Sequence, residues 1–155
     1  MRAAIQALLD AEGVAYRLLE HEPTRTSEDS ARARGEPLEI GAKALVVKAG
    51  ERFVLLVQSA ARKLDSGKLR AALGVRRTRF ASAEELLELT GLVPGSVPPF
   101  GRPILPFDLY VDRSVAANER VAFNAGSLTH SVIVSRDDYL AAARPTALLD
   151  FTSLP

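Results

Sequence analysis

Apolar residues in this chain fall into short runs that glycines, prolines and capping residues separate. Two runs, residues 44–49 and 53–58, are almost continuously apolar and flank the turn residues Gly50 and Glu51. Strands that are covered on both faces lose the alternation of polar and apolar positions, so these runs predict a hairpin at the centre of a well-covered sheet. Further strands are predicted at residues 14–19, 76–81, 105–112, 120–124 and 131–135.

Helices are marked by the residues that start and stop them. Thr26 and Ser82 each precede an acidic residue by three positions, which is the spacing of a capping box. Asp65 or Ser66 can cap a third helix, and Asp137 is predicted to cap the last one. The glycines placed to end helices are Gly13, Gly35, Gly74 and Gly91.

Together the patterns predict a single α+β domain over residues 1–155. Its sheet is expected to be mixed and mainly antiparallel, curled towards a barrel, with helices packed around it. A chain of 155 residues is long enough to bury a real core within one domain. No apolar run approaches membrane-spanning length, so we expect a cytoplasmic protein without a membrane partner.

Composition excludes several kinds of chemistry. The chain contains no cysteine, which rules out disulfides, thiolate metal sites and a cysteine nucleophile. Its two histidines, His21 and His130, belong to no spaced group of metal ligands. Neither a Gly-x-Ser-x-Gly elbow nor a phosphate-binding glycine motif is present. We therefore expect no metal and no cofactor.

Charge is concentrated in one segment. The net charge is +1, yet residues 62–79 contain seven basic residues and a single acid. Such a segment is either a surface that follows a polyanion such as RNA or an ordinary solvated helix face. The candidate tRNA contacts within it are Lys68, Arg70, Arg76, Arg77 and Arg79.

Three further features are candidates for a binding site. Residues 90–103 combine three glycines with four prolines, which predicts a stiff loop whose backbone a ligand can approach closely. Lys43 begins the first central strand, and residues 124–130 form a polar, glycine-containing loop. Each feature also has a structural explanation, as a plain connection, a solvated strand-end lysine or a hairpin turn.

In combination these features resemble the YbaK/ProX family, the trans-acting aminoacyl-tRNA deacylases related to the editing insertion of bacterial prolyl-tRNA synthetase. The resemblance runs from about His21 to Tyr139. It is carried by Gly91-Leu-Val-Pro94-Gly95-Ser-Val-Pro98-Pro99-Phe100-Gly101, by Lys43 within Gly41-Ala-Lys-Ala-Leu45, and by Phe123-Asn-Ala-Gly-Ser127.

The resemblance implies an ester hydrolase that removes a wrongly attached small amino acid from tRNA. Its partners would be the acceptor end of aminoacyl-tRNA and, as a further candidate, a synthetase, with no role for DNA. By the same resemblance, the catalytic positions would be Lys43, Gly126 and Ser127. The substrate-binding positions would be Thr26, Gly91, Pro94, Gly95, Gly101 and His130.

Two alternatives remain at this stage. A non-catalytic tRNA- or synthetase-binding module would keep the fold without hydrolysis, and a small-molecule hydrolase would leave the basic segment unexplained. The amino acid also stays open between alanine, cysteine, serine and threonine, because Ala44 stands where some family members have asparagine after the lysine.

Overall fold

The computed structural model describes residues 1–155. Its helices are α1 Arg2–Ala11, α2 Ser27–Arg34, α3 Ser66–Leu73, α4 Ala83–Thr90, α5 Arg113–Ala116 and α6 Arg136–Ala143, with a 3-10 helix at Leu38–Ile40. Its strands are β1 Tyr16–Glu20, β2 Ala42–Ala49, β3 Arg52–Ser59, β4 Lys63–Leu64, β5 Thr78–Phe80, β6 Leu109–Asp112, β7 Arg120–Asn124, β8 His130–Ser135, β9 Ala147–Leu149 and β10 Thr152–Ser153. None of the helices combines the length and apolar character that crossing a membrane requires.

The strands form two main sheets and one small pair. The larger sheet has the order β5-β2-β3-β6-β9, the smaller sheet has the order β1-β8-β7, and β10 pairs with β4. Only the β3–β6 and β6–β9 pairings are parallel, so the predicted mixed and mainly antiparallel arrangement is confirmed. A parallel bridge between Gly41 and Ala122 links the two sheets, which curl towards each other without closing a barrel.

The β2–β3 hairpin is the centre of the fold, as its two apolar runs predict. Leu55 and Val57 of β3 face the main hydrophobic core, while Val54 and Leu56 face a second core on the opposite side of the sheet. All four side chains are fully buried. Residues 54–57 of β3 therefore face apolar surroundings on both sides, which explains why this part of the strand does not alternate.

The glycine- and proline-rich loop is anchored in the main core by aromatic contacts. Phe100 lies edge-on to Phe123, with the ring centroids 5.3 Å apart, and edge-on to Tyr139 at 5.5 Å. The Tyr139 hydroxyl also donates a hydrogen bond to the carbonyl of Pro99 over 2.6 Å. This half of the loop is consequently part of the core, whereas its beginning, residues 91–95, is largely exposed.

Two predicted boundaries are wrong for local reasons. The strand predicted at residues 105–112 begins only at Leu109, because the amides of Ile104 and Leu105 both bond to the Gly101 carbonyl in a turn. The last helix begins at Arg136 instead of after Asp137. Its cap is Ser135, whose hydroxyl accepts a hydrogen bond from the Asp138 amide.

Asp112 ties the C-terminal segment to the sheet. Its fully buried carboxylate accepts hydrogen bonds from the Phe151 amide (2.8 Å), the Thr152 hydroxyl (2.8 Å) and the Ser114 amide (3.0 Å). Burial alone would raise the pKa of Asp112, but these hydrogen bonds hold that pKa below its ordinary value. The charged form is therefore the one that the fold stabilises.

We expect Asp112→Asn to lower the free energy of unfolding by about 2–3 kcal/mol, measured by urea denaturation at pH 7. The two backbone amides bond to different carboxylate oxygens, so either orientation of the asparagine sets its NH2 group against a backbone N–H. Because the folded-state pKa is lowered, the difference should shrink as the pH falls below about 4.

Asp150→Asn is the matched control. Its carboxylate is 42% exposed and only forms ion pairs with Lys68 and Arg113. Its substitution should cost less than about 1 kcal/mol. Equal losses in the two variants would contradict the assigned role of Asp112.

Candidate functional site

A cavity of about 470 Å³ lies between α2, the first half of β2, the start of the glycine- and proline-rich loop, and the end of β7. Four residues predicted for the site meet there. They are Thr26, Lys43, Pro94 and Gly95. The cavity walls also include Arg25, Ser27, Glu28, Ser30, Ala31, Arg34, Leu38, Gly41, Ala42, Ala44, Leu45, Ala60, Val97 and Asn124.

One wall of the cavity is an unpaired strand edge. β2 pairs with β3 over all eight residues, but β5 covers the other edge of β2 only from Val47 to Ala49. In an antiparallel pair, alternate residues direct both backbone groups away from the partner strand. The Val46 carbonyl accepts the Ala81 amide on the side away from β3, so Val46 is one of these outward-facing residues, and so is Ala44, two positions earlier. The Ala44 N–H and C=O therefore point away from β3, at the part of the edge that lines the cavity.

Lys43 lies on this wall with an uncompensated charge. Its side chain is exposed and forms no ion pair or hydrogen bond. Directly opposite on β3 stands Gln58, which is 1% exposed and whose Oε1 atom has no hydrogen-bond partner. The ammonium group is consequently available to a ligand, with an unsatisfied acceptor on the neighbouring strand.

The opposite wall is the beginning of the glycine- and proline-rich loop. Gly95 has φ of +88°, a conformation that strongly favours glycine. Its carbonyl accepts a hydrogen bond from the side chain of Asn124, at the end of β7. The Gly95 N–H has no acceptor within the protein, and Pro94 has no N–H to offer. Gly95 is therefore a candidate backbone donor to a ligand.

Arg34 is the partly buried cation of the cavity. Its Nε donates to the Ser131 hydroxyl and its Nη2 to the Asn124 Oδ1, each over 3.0 Å. The Ser131 hydroxyl is in turn hydrogen-bonded to His21 Nε2 at 2.8 Å. No carboxylate lies within ion-pairing distance of Arg34, and burial lowers its pKa to about 10.

Three hydroxyl-bearing residues line the cavity: Thr26, Ser27 and Ser30. Thr26 caps α2 by accepting the Asp29 amide at 3.1 Å, as predicted, and Ser30 shares a hydrogen bond of 2.8 Å with Thr24, while the Ser27 hydroxyl forms no hydrogen bond. None of the three has a histidine or carboxylate partner that could act as its base. The cavity thus offers cationic and N–H donors instead of a nucleophile paired with a base.

Five predicted site residues lie outside the cavity lining: Gly91, Gly101, Gly126, Ser127 and His130. The backbone accounts for the glycines, since Gly91 ends α4 at φ +74° and a Cβ at Gly101 would lie 2.6 Å from the Phe107 carbonyl. Gly126 has φ of +75° and packs against Met1. Ser127 and His130 are hydrogen-bonded to Thr129. A direct role for these five residues remains a prediction from the family resemblance.

Sequence reasoning missed Arg34 and Asn124 as site residues. Arg34 occupies the last turn of a short, highly charged helix, where a basic residue is ordinary. Asn124 begins the polar loop that was predicted, but no local pattern separates it from its neighbours. Their hydrogen bond joins residues 90 positions apart, so only the folded chain reveals it.

The basic segment runs through β4, α3 and the start of β5, and only β5 belongs to the sheet that lines the cavity. Arg70, Arg76 and Arg77 are exposed and form no ion pairs, whereas Arg79 makes two hydrogen bonds to Glu85 and Lys68 pairs with Asp150. Arg79 stands opposite Lys48 on β2, and Lys48 is five residues from Lys43. This separation corresponds to about 17 Å along the strand.

The fold and the cavity define an α+β domain with a cationic binding site between a helix and an open strand edge. The chain belongs to the aminoacyl-tRNA editing domain family, whose profile matches residues 21–142. The resemblance predicted from its three sequence motifs is thereby confirmed.

Individual relatives agree with this assignment. The chain is 39% identical to the multifunctional Ser/Thr-tRNA deacylase ProXp-y of Escherichia coli (strain K12), over 90% of this chain and 86% of the relative. It is 26% identical to the prolyl-tRNA editing protein ProX of Acetoanaerobium sticklandii, over 88% and 87% of the two chains. A solved structure described as a candidate trans-editing enzyme for prolyl tRNA synthetase superposes with a TM-score of 0.83 at 27% identity, over 98% of this chain and 96% of the other.

We expect the double reversal Arg76→Glu with Arg77→Glu to weaken tRNA binding. The slope of log K against log salt should fall in magnitude by about 1.5–2, because two phosphate contacts are lost. Filter binding at several salt concentrations measures this slope. Arg79 is left unchanged, since its reversal would also break the pair with Glu85.

Arg2→Glu is the control for net charge, and it is compared with the single reversal Arg76→Glu. Arg2 lies on α1, is exposed and forms no ion pair, so the two single variants carry the same change in net charge without breaking a contact. If the double reversal at residues 76 and 77 had the wild-type salt slope, those residues would form only a solvated face.

Proposed function

We propose that this protein is a trans-acting aminoacyl-tRNA deacylase that hydrolyses the ester joining a wrongly attached small amino acid to tRNA. The observation that carries the proposal is the convergence of Lys43, the open edge of β2 and the Pro94–Gly95 turn on one cavity. The family assignment and the relatives named as tRNA deacylases support the same reaction. Its place of action would be the cytoplasm, where charged tRNA is used.

The chemistry needs positioning more than a protein nucleophile. An aminoacyl ester is an activated acyl group, so a water molecule can attack its carbonyl once the two are aligned. The Gly95 N–H, which has no acceptor, and the outward-facing Ala44 N–H are the backbone donors for the developing oxyanion. Each such donor contributes about 3 kcal/mol in comparable acyl-transfer enzymes.

Other groups would act at the aminoacyl end and at the ribose end of the ester. The Lys43 ammonium, free of protein partners, would bind the aminoacyl end or the terminal phosphate. The leaving group is the ribose hydroxyl, and the substrate's own neighbouring 2′-hydroxyl can assist proton transfer there. None of the cavity hydroxyls, those of Thr26, Ser27 and Ser30, is paired with a base, which leaves the attack to water.

Serine and threonine are the amino acids that we propose for this site. The relative at 39% identity is named as a Ser/Thr-tRNA deacylase, and the cavity is lined by polar as well as apolar groups. A synthetase cannot reject small isosteric side chains by binding alone, since one methylene is worth only about 1–3 kcal/mol. A separate hydrolase can then remove the wrongly attached amino acid after the synthetase has released the tRNA.

A panel of mischarged tRNAs tests this function directly. We expect serine and threonine to be released from mischarged tRNA at least about tenfold faster than in buffer, and faster than alanine or cysteine. One acid-quench assay measures all four rates of release. If alanine or cysteine were released faster than serine and threonine, the proposed specificity would be wrong, but the proposed reaction would stand. Tight binding of tRNA without any hydrolysis would instead favour the non-catalytic binding module.

Lys43→Ala should lower kcat/KM for deacylation by about a hundredfold while leaving the fold intact, because the removed ammonium supports no protein contact. Single-turnover hydrolysis and a thermal melt measure the two effects.

Lys48→Ala is the matched control on the same strand. The Lys48 ammonium lies 5.9 Å from the Phe53 ring centroid, and Lys48 is not part of the cavity lining. The activity of the Lys48→Ala variant should therefore stay near that of the wild type. Wild-type activity in Lys43→Ala would remove Lys43 from the mechanism.

A further inference from the structure

The cavity is strongly cationic for a protein whose net charge is only +1. Arg25, Arg34 and Lys43 line it against one acid, Glu28. Arg34 differs from the other two cations because it is partly buried and fixed, while Arg25 and Lys43 are exposed. A fixed cation in a pocket needs a different explanation from a solvated one.

The guanidinium of Arg34 is partly buried and lacks the charged partner that such a group normally has. Charged side chains in protein interiors are usually paired with an opposite charge, since removing them from water is costly. Arg34 instead donates to two neutral acceptors, the Ser131 hydroxyl and the Asn124 carbonyl oxygen. Burial lowers the pKa of Arg34, and no carboxylate lies within ion-pairing distance to compensate its charge.

The two existing hydrogen bonds also leave part of the guanidinium free. An arginine side chain has five N–H donors, of which the Ser131 and Asn124 bonds use one each. Nη1 makes no hydrogen bond, and a Cβ atom at Gly41 would lie 3.7 Å from it. Because Gly41 has no side chain, the cavity remains open beside Nη1.

We propose that Arg34 binds a phosphodiester of the tRNA acceptor end, the one that precedes the terminal adenosine. Its planar fork matches two phosphate oxygens, and the tethers to β7 and β8 hold it in place before the ligand arrives. Lys43 is then left for the aminoacyl end of the same substrate. This assignment rests on the proposed function, which supplies the tRNA end as the ligand.

A dinucleotide isolates this contact from catalysis. Cytidylyl-(3′→5′)-adenosine contains the phosphodiester and the terminal adenosine but no aminoacyl group, and its methylphosphonate analogue lacks the negative charge. We expect the wild-type protein to bind the charged dinucleotide about tenfold more tightly than the neutral analogue, measured by calorimetry. Equal affinity for the two compounds would overturn the proposal.

Variants then assign the charge preference to one residue. In Arg34→Gln the preference should disappear, and in Arg34→Lys it should fall several-fold, because the ammonium keeps the charge but loses the fork. Arg32→Gln is the matched control, since Arg32 lies on the same helix, has a side chain that is 77% exposed and pairs only with Asp29. The assignment of the phosphodiester to Arg34 is contradicted if Arg34→Gln keeps the full preference for the charged dinucleotide, or if Arg32→Gln loses that preference.

Arg34 also tethers α2, so Arg34→Gln can fail to fold, which a thermal melt detects. In that case the wild-type protein labelled with ¹⁵N-arginine gives the answer. The Nε–H resonance that is missing from Arg34→Lys should shift with the charged dinucleotide and stay in place with the methylphosphonate. If neither compound shifts this resonance, Arg34 only holds α2 in place and does not bind the phosphodiester.

The two proposals can fail separately. If mischarged tRNA is hydrolysed but the dinucleotides are not distinguished, only the phosphate assignment is lost. If the charge preference depends on Arg34 while no aminoacyl-tRNA is hydrolysed, the deacylase function is lost and the anion site stands.

Discussion

The cavity exists because β2 is paired along its whole length on one side and only at its end on the other. β5 contributes three residues and stops, so the first half of β2 keeps an open edge inside an otherwise well-covered sheet. Proteins do not leave such edges bare, since unpaired N–H and C=O groups invite pairing with another chain. Here α2 and the Pro94–Gly95 turn stand over the edge without hydrogen-bonding to it. The uncovered space between them is the cavity.

A polar network sets the distance between these covering elements. Arg34 of α2 bonds to Asn124 at the end of β7, and Asn124 bonds to the Gly95 carbonyl of the loop. Three segments far apart in sequence are therefore joined through one side-chain amide, while the aromatic group around Phe100 fixes the far half of the loop in the core. The walls of the cavity are connected to one another, so a change at any member of the network alters the shape that a substrate meets.

Sequence patterns predicted the parts of the fold that local physics controls. The caps at Thr26 and Ser82 and the turn at Gly50 are confirmed, because each is decided by residues within four positions of one another. The start of β6 was missed because a turn closed at Gly101 removes four residues from the strand. The Phe107 carbonyl approaches Gly101 so closely there that a Cβ atom would lie 2.6 Å from it. The short elements α5, β4, β9 and β10 span two to four residues, too few for any periodicity to show.

The site was predictable to a similar extent and for the same reason. Motifs led to Lys43, Pro94 and Gly95, which the fold brings to one cavity. Arg34 remained hidden because an arginine in the last turn of a helix is favourable on its own account, through the helix dipole. What makes it unusual is the absence of an acid around it, and that absence is a property of the packed structure. A partly buried cation with neutral neighbours loses hydration without gaining an ion pair, and the phosphodiester that we propose as its ligand would offset this cost. Ligand binding would therefore matter more to Arg34 than to the exposed arginines of the basic segment, which are surrounded by water.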